Sequence, residues 1–189
     1  DSYDGEIYYK GELIKNSSPK AAIDRGFSMV PEDRKDKGLI LSHSVQNNIQ
    51  MTILDRISRL GMLCGRKGKR TVGTFIENLH IKTSGMQQKV GMLSGGNQQK
   101  VVLAKCMAPE PKVILLDEPT RGVDVGAKAE IYKIINDLAS KGFAIIMVSS
   151  ELPELIAVSD RIIVMREGRI SGEIDAKDVT EEQVMALAI

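Results

Sequence analysis

Two groups of residues in this chain could act on a phosphate. Ser94, Gly95 and Gly96 sit in the stretch LSGGNQQK, ahead of a helix-competent run from Asn97 to Met107. A helix opening there would point its free N–H groups back at a hydroxyl and two glycine amides, which together can cradle an anion. A Gly-Gly turn before an ordinary helix is the plain alternative, and the stretch alone does not separate the two. Asp117 and Glu118 end the apolar run KVILLDEP. A carboxylate pair in that place can hold Mg²⁺ and orient a water for attack on a phosphoryl group. Strand-end solvation is the alternative here, common for one acid and less so for two followed by Pro119 and Thr120.

Elements must position these groups. The unalternating run Val113 to Leu116 fits a parallel strand buried on both faces, with its polar residues emerging at the carboxyl end, where ligands sit in open α/β sheets. Ile131, Ile134, Ile135 and Leu138 then fall at helical spacing, Gly142 supplies a stop, and Phe143 to Val148 reads as a second buried strand, completing a βαβ unit. Upstream, GEIYYKGELI predicts a hairpin around Lys10-Gly11. Ser18, Pro19 and Gly26 predict the cap, first residue and stop of a short helix leading into a strand from Phe27 to Val30. From Val45 to Met107 the pattern is helical, interrupted at GRKGKR, which reads as a basic solvated connection. DRIIVMREGRISGEI predicts two strands joined at Glu167-Gly168, and Thr180 with Gln183 predicts a capping box before a last helix. Together these predict an α/β fold, with a core formed by residues 1–44 and 108–189 and an inserted α-helical subdomain over residues 45–107.

Composition narrows the function class. The 189 residues, 42% hydrophobic, suffice for one domain with subdomains. A formal charge of +1 gives no global field for nucleic acid, and 4% aromatics with no Trp give no stacking platform for sugars or bases. Cys64, Cys106, His43 and His80 are not at metal-ligand spacing, so the cysteines read as reduced and structural, in a cytosolic setting. Met29, Met147 and Met165 read as core filling in strands. No apolar run reaches the roughly 18 residues of a membrane span, and DSYDG lacks a signal-peptide layout. A first residue of Asp rather than Met predicts an excised fragment.

LSGGNQQK, ILLDEP, RGVD and IIMVSSELPE together resemble the ATP-binding cassette family. EPTRGVDVGAK and VPEDRK resemble, more narrowly, the second cassette of the tandem ATPases that drive bacterial monosaccharide importers of the ribose and galactose type. The match runs in order over nearly the whole chain. It implies a P-loop NTPase-like cassette truncated at its N-terminus, with ATP and Mg²⁺ as ligands. By position, Asp117 resembles the aspartate that ligates Mg²⁺ through water, and Glu118 the carboxylate that polarises the attacking water. Asp124 falls where the family's D-loop aspartate meets the opposite cassette. Ser94, Gly95 and Gly96 match the signature that binds the γ-phosphate of ATP held by the partner cassette, with Gln98 beside them as a further nucleotide-binding residue.

Two positions depart from the family pattern. Glu32 stands in the place of the Q-loop glutamine, from which a carboxylate would reach Mg²⁺ or a water. Ser150 stands in the place of the switch histidine, where a hydroxyl cannot accept a proton or stabilise charge as imidazole does. Otherwise Glu32 is simply exposed and Ser150 caps a helix starting at Glu151. A phosphate-binding G-x-x-x-x-G-K-[ST] loop is missing: Gly68-Lys69 is followed by Arg70 and has Leu63 at the first glycine position. The resemblance places that loop upstream of DSYDGEIYYKG.

The resemblance implies coupling of ATP hydrolysis to monosaccharide uptake at the cytoplasmic face of the inner membrane. The implied partners are the first cassette of the same polypeptide or a second copy, membrane permease subunits and, indirectly, a periplasmic sugar-binding protein, with no nucleic acid. Two rivals stand beside it: a non-hydrolysing regulatory cassette that only completes the partner's ATP site, and a soluble cassette ATPase of DNA repair or translation. The long coiled-coil or basic inserts usual in the latter are missing from the sequence.

Overall fold

The computed structural model describes residues 5–59, 62–177 and 179–189. The chain opens with an antiparallel hairpin, β1 (Ile7–Tyr9) and β2 (Glu12–Ile14), turning at Lys10 and Gly11, both at positive φ. Helix α1 (Pro19–Asp24) starts as its sequence predicts: the Ser18 hydroxyl accepts the Ala21 N–H, and Pro19 takes the first turn. Strand β3 (Phe27–Val30) follows, then a wide turn over Arg34–Gly38. A helical stretch holds α2 (Val45–Gln50), α3 (Leu54–Ile57), the short pair β4 (Ser58–Arg59) and β5 (Met62–Leu63), α4 (Gly65–Asn78) and α5 (Gly95–Met107). The last third carries β6 (Val113–Asp117), α6 (Val125–Ser140), β7 (Ala144–Val148), α7 (Leu152–Val158), the hairpin of β8 (Arg161–Arg166) and β9 (Arg169–Asp175), and α8 (Glu181–Ala188).

Strands β3, β6 and β7 form a parallel sheet in that order, with Val30 beside Leu116 and Asp117 beside Val148. Parallel neighbours need a crossover, and α6 supplies the one from β6 to β7. One apolar core runs unbroken from α2 and α5 through β3 and β6 to α6, with Ile49, Leu103, Ile114, Leu116 and Ile131 fully buried in it. A second, smaller core gathers Ile162, Val164, Ala176 and Val184 under α7 and α8. Thr180 and Gln183 close the predicted capping box on α8. Among the described residues, no helix is long and apolar enough to cross a membrane.

Three local expectations are corrected. GRKGKR is no loop: it forms the first turns of α4, with Gly68 and Val72 buried one helical turn apart and the basic side chains outside. Gly68 fits there because a Cβ would lie 2.2 Å from the Gln50 amide, so the glycine serves close packing of α4 on α2. Met29 and Met165 do not fill a core but are 55% and 59% exposed. Likewise β7 is half-buried on one face and exposed on the other. Met29, Leu115 and Ile146 lie side by side across the three strands, on a sheet face that leaves Ile146 60% exposed.

Candidate functional site

The site is assembled at the carboxyl ends of β6 and β7. Glu118 follows the last residue of β6 with φ 46°, a left-handed backbone that few residues other than glycine adopt. Two bonds hold it there: its N–H donates to the Val148 carbonyl at 2.9 Å, and its Oε1 accepts the Ser150 N–H at 2.8 Å. Its Oε2 takes no hydrogen bond from the described residues. Ser150 therefore contributes its backbone amide. It does not cap a helix from Glu151, because α7 starts at Leu152 and Pro153 has no N–H for a hydroxyl at position 150 to accept. Ser149 organises the turn instead: its hydroxyl accepts the Glu151 N–H at 3.0 Å and donates to Glu154 at 2.5 Å.

Ser94 is the N-cap of α5, yet its hydroxyl makes no bond to the helix backbone. It accepts instead from the Asn97 side-chain amide at 2.8 Å, while the Asn97 carbonyl oxygen takes the Lys82 N–H at 2.7 Å. By contrast, Ser18, Ser44, Asp124 and Thr180 all cap their helices. The first-turn amides of α5 thus stay uncapped beside an exposed hydroxyl, which suits an anion. The glycines also have an internal use. A Cβ on Gly95 would meet the Arg34 guanidinium at 3.0 Å and the Gly122 carbonyl at 3.1 Å, and one on Gly96 would lie 2.4 Å from the Ala127 Cβ.

Gln98, expected among the nucleotide-binding residues, turns its side chain inward. It is 6% exposed, and its amide donates to the Val90 and Leu93 carbonyls, both at 3.2 Å, so it braces the turn leading into α5. Asp124 stands exposed at the start of α6 and accepts the Ala127 N–H at 3.0 Å. Glu32, expected to reach Mg²⁺ or a water, pairs its carboxylate with Arg121 across a groove of about 400 Å³. Among the described residues no three acidic, His or Cys side chains converge to hold a metal. Mg²⁺ often takes only one or two protein carboxylates plus substrate phosphates, so Asp117 at the end of β6 still fits that chemistry alone.

Three residues that carry the site were not singled out from the sequence. Arg34 donates to the Arg121 and Gly122 carbonyls at 2.6 and 2.9 Å, binding the turn after β3 to the loop after β6. Lys100, 2% exposed, donates to the His80 carbonyl at 3.0 Å and pairs with Glu130 of α6 at 2.6 Å, and this bond holds the Glu130 carboxyl below its usual range. Glu154 is 1% exposed. Arg34, Lys100 and Glu154 lie inside the stretches VPEDRK, LSGGNQQK and IIMVSSELPE, but their residue types alone do not reveal the partners they meet.

Residues 1–121 match the family model described as ABC transporter. The chain is 50% identical to the ribose import ATP-binding protein RbsA of Caldanaerobacter subterraneus subsp. tengcongensis over 98% of its length, which is 38% of that protein. It is equally 50% identical to RbsA of Bacillus subtilis and to the arabinose import ATP-binding protein AraG of Paraburkholderia xenovorans, covering 37% and 36% of them. The chain thus spans rather more than a third of the relatives it matches. Among solved structures, the ATP-binding cassette MJ1267 of an ABC transporter superposes with a TM-score of 0.80 at 20% identity, over 97% of this chain and 76% of that one. A dimeric form of the cassette MJ0796 bound to ADP and Pi gives 0.74 at 20% identity, over 92% and 74%.

Proposed function

The chain belongs to the ABC transporter family, and from that premise we propose that it is the second cassette of an ATP-binding protein that powers monosaccharide import. The names of the relatives support the sugar. The observation that carries the reading is Glu118, held at the end of β6 with one carboxylate oxygen on the Ser150 amide and the other taking no hydrogen bond from the described residues.

In this reading Glu118 Oε2 accepts a proton of the attacking water while Oε1 keeps the carboxylate oriented. Asp117 would hold Mg²⁺, which would neutralise charge on the phosphate oxygens. Ser94 and the first amides of α5 meet the γ-phosphate of a nucleotide held by the partner, which is the first cassette of the same polypeptide or a second copy. Asp124 faces that partner. Residues 45–107 act as the helical subdomain that presents Ser94, and residues 1–44 with 108–189 as the core that presents Glu118. The phosphate-gripping loop comes from outside the 189 residues. The assembly docks on membrane permease subunits at the cytoplasmic face and is served by a periplasmic sugar-binding protein.

Ser150 favours a second reading, a cassette that completes the partner's site and hydrolyses nothing itself, because a hydroxyl replaces the imidazole there. ATP turnover of the full-length subunit with its permease separates the two. Glu118→Gln lowers turnover by half or more if this cassette hydrolyses, and leaves it unchanged if it only completes the partner's site. Ser94→Arg abolishes turnover in both cases, and a Ser94→Arg protein with normal turnover would sink both.

A further inference from the structure

We propose that Glu154 is a positioning residue for Glu118, acting through Ser149 and the Ser150 amide. This rests on Glu118 being the carboxylate that orients the attacking water. A carboxylate that is 1% exposed is costly to keep unless something compensates it, and its Oε1 has no partner in the described structure. What Glu154 does have is Ser149: Oε2 accepts that hydroxyl at 2.5 Å, and the same hydroxyl oxygen accepts the Glu151 N–H at 3.0 Å. Ser149 is thereby locked at both ends of a three-residue turn. In the middle of that turn, the Ser150 N–H points at Glu118 Oε1 from 2.8 Å.

The groups facing Glu154 from the neighbouring helix complete the brace. Lys128 of α6 bonds both carboxylate oxygens of Glu151 at 2.5 Å, fixing the far side of the same turn. Tyr132, one helical turn further along α6, lies close enough to feel the charges of both Glu154 and Glu151. Glu118 itself sits in a left-handed backbone conformation that it does not prefer. Its orientation therefore depends on what the turn offers, and the turn depends on an acceptor for the Ser149 hydroxyl. Glutamine at position 154 retains such an acceptor, and leucine does not.

The test uses the full-length subunit. Hydrogen exchange of the Ser150 amide, followed without nucleotide, is slow in the parent protein and at least tenfold faster in Glu154→Leu and Ser149→Ala, while Glu154→Gln keeps it slow. With Mg-ATP and the permease present, Glu154→Leu and Ser149→Ala lower kcat as far as Glu118→Gln does, with KM for ATP unchanged, and Glu154→Gln restores kcat. If Glu154→Leu does not fold, Ser149→Ala carries the same two readouts. A folded variant with a slow Ser150 amide and parental kcat overturns the proposal. Should Glu118→Gln itself leave turnover unchanged, the hydrolytic reading fails, while the amide exchange still shows whether the wiring exists.

Discussion

A methyl group on Gly96 would sit 2.4 Å from the Cβ of Ala127, so α5 cannot keep its distance from α6 once that glycine is replaced. Gly96→Ala is expected to destabilise the protein by about 1–3 kcal/mol, as overpacking does, and Ala127→Gly in the same chain to recover part of the loss. Chemical denaturation of the single and double variants checks this. Cys106 offers a second test at this scale. Burial pushes its thiol from 9.0 up to about 11, against a smaller opposing pull from the Ser28 hydroxyl. The folded chain thus holds a proton that the unfolded chain releases between pH 9 and 11, so stability falls as pH rises through that window. The Cys106 share of the fall is about 3 kcal/mol at most, and it disappears in Cys106→Ala. Alkylation at pH 8 should label the exposed Cys64 and spare Cys106 until the chain unfolds.

Between elements, the bond from Lys100 to Glu130 ties the helix that presents Ser94 to the one that Asp124 caps. Lys100→Met keeps the bulk and removes the charge, and should cost about 1.5–3 kcal/mol, the range for hydrogen bonds to charged groups. The Glu130 carboxyl is depressed by that lysine, so its contribution is present above its unfolded pKa and lost as pH falls through the lower folded value. In Lys100→Met this acid-side loss should shrink, as denaturation midpoints at pH 7 and pH 3 would show. Elements with local signals were legible in the sequence. Ser18 with Pro19, Thr180 with Gln183 and the apolar run of β6 each encode their own start or burial. The first turns of α4 were not, because two glycines in a basic run look like a loop until the surface of α2 they fit against is known. Gln98 and Lys100 were readable only as polar residues, since α5 is buried almost all round and turns them inward onto carbonyls. Arg34 meets its partners 87 and 88 positions away, and no local pattern announces that pairing.

Across the whole molecule, the sheet is covered on one face and partly open on the other, where Met29 and Ile146 are 55% and 60% exposed on either side of Leu115. An apolar strip of that kind favours association, so the 189-residue chain alone should form concentration-dependent oligomers. Ile146→Lys should shift it toward monomer in sedimentation velocity, and an unchanged distribution would locate the sticky surface elsewhere. The unbroken core described above has a mechanical consequence. Helices α2 and α5 share one contiguous set of buried side chains with β3, β6 and α6, beside an apolar cleft of about 380 Å³ that opens between α1, β3 and α5. They should therefore melt together in a single calorimetric transition, with the small core under α7 and α8 free to loosen earlier. Where these helices lie on closely packed side chains, movement on the sheet is expected to proceed as a shear in steps of an ångström or two.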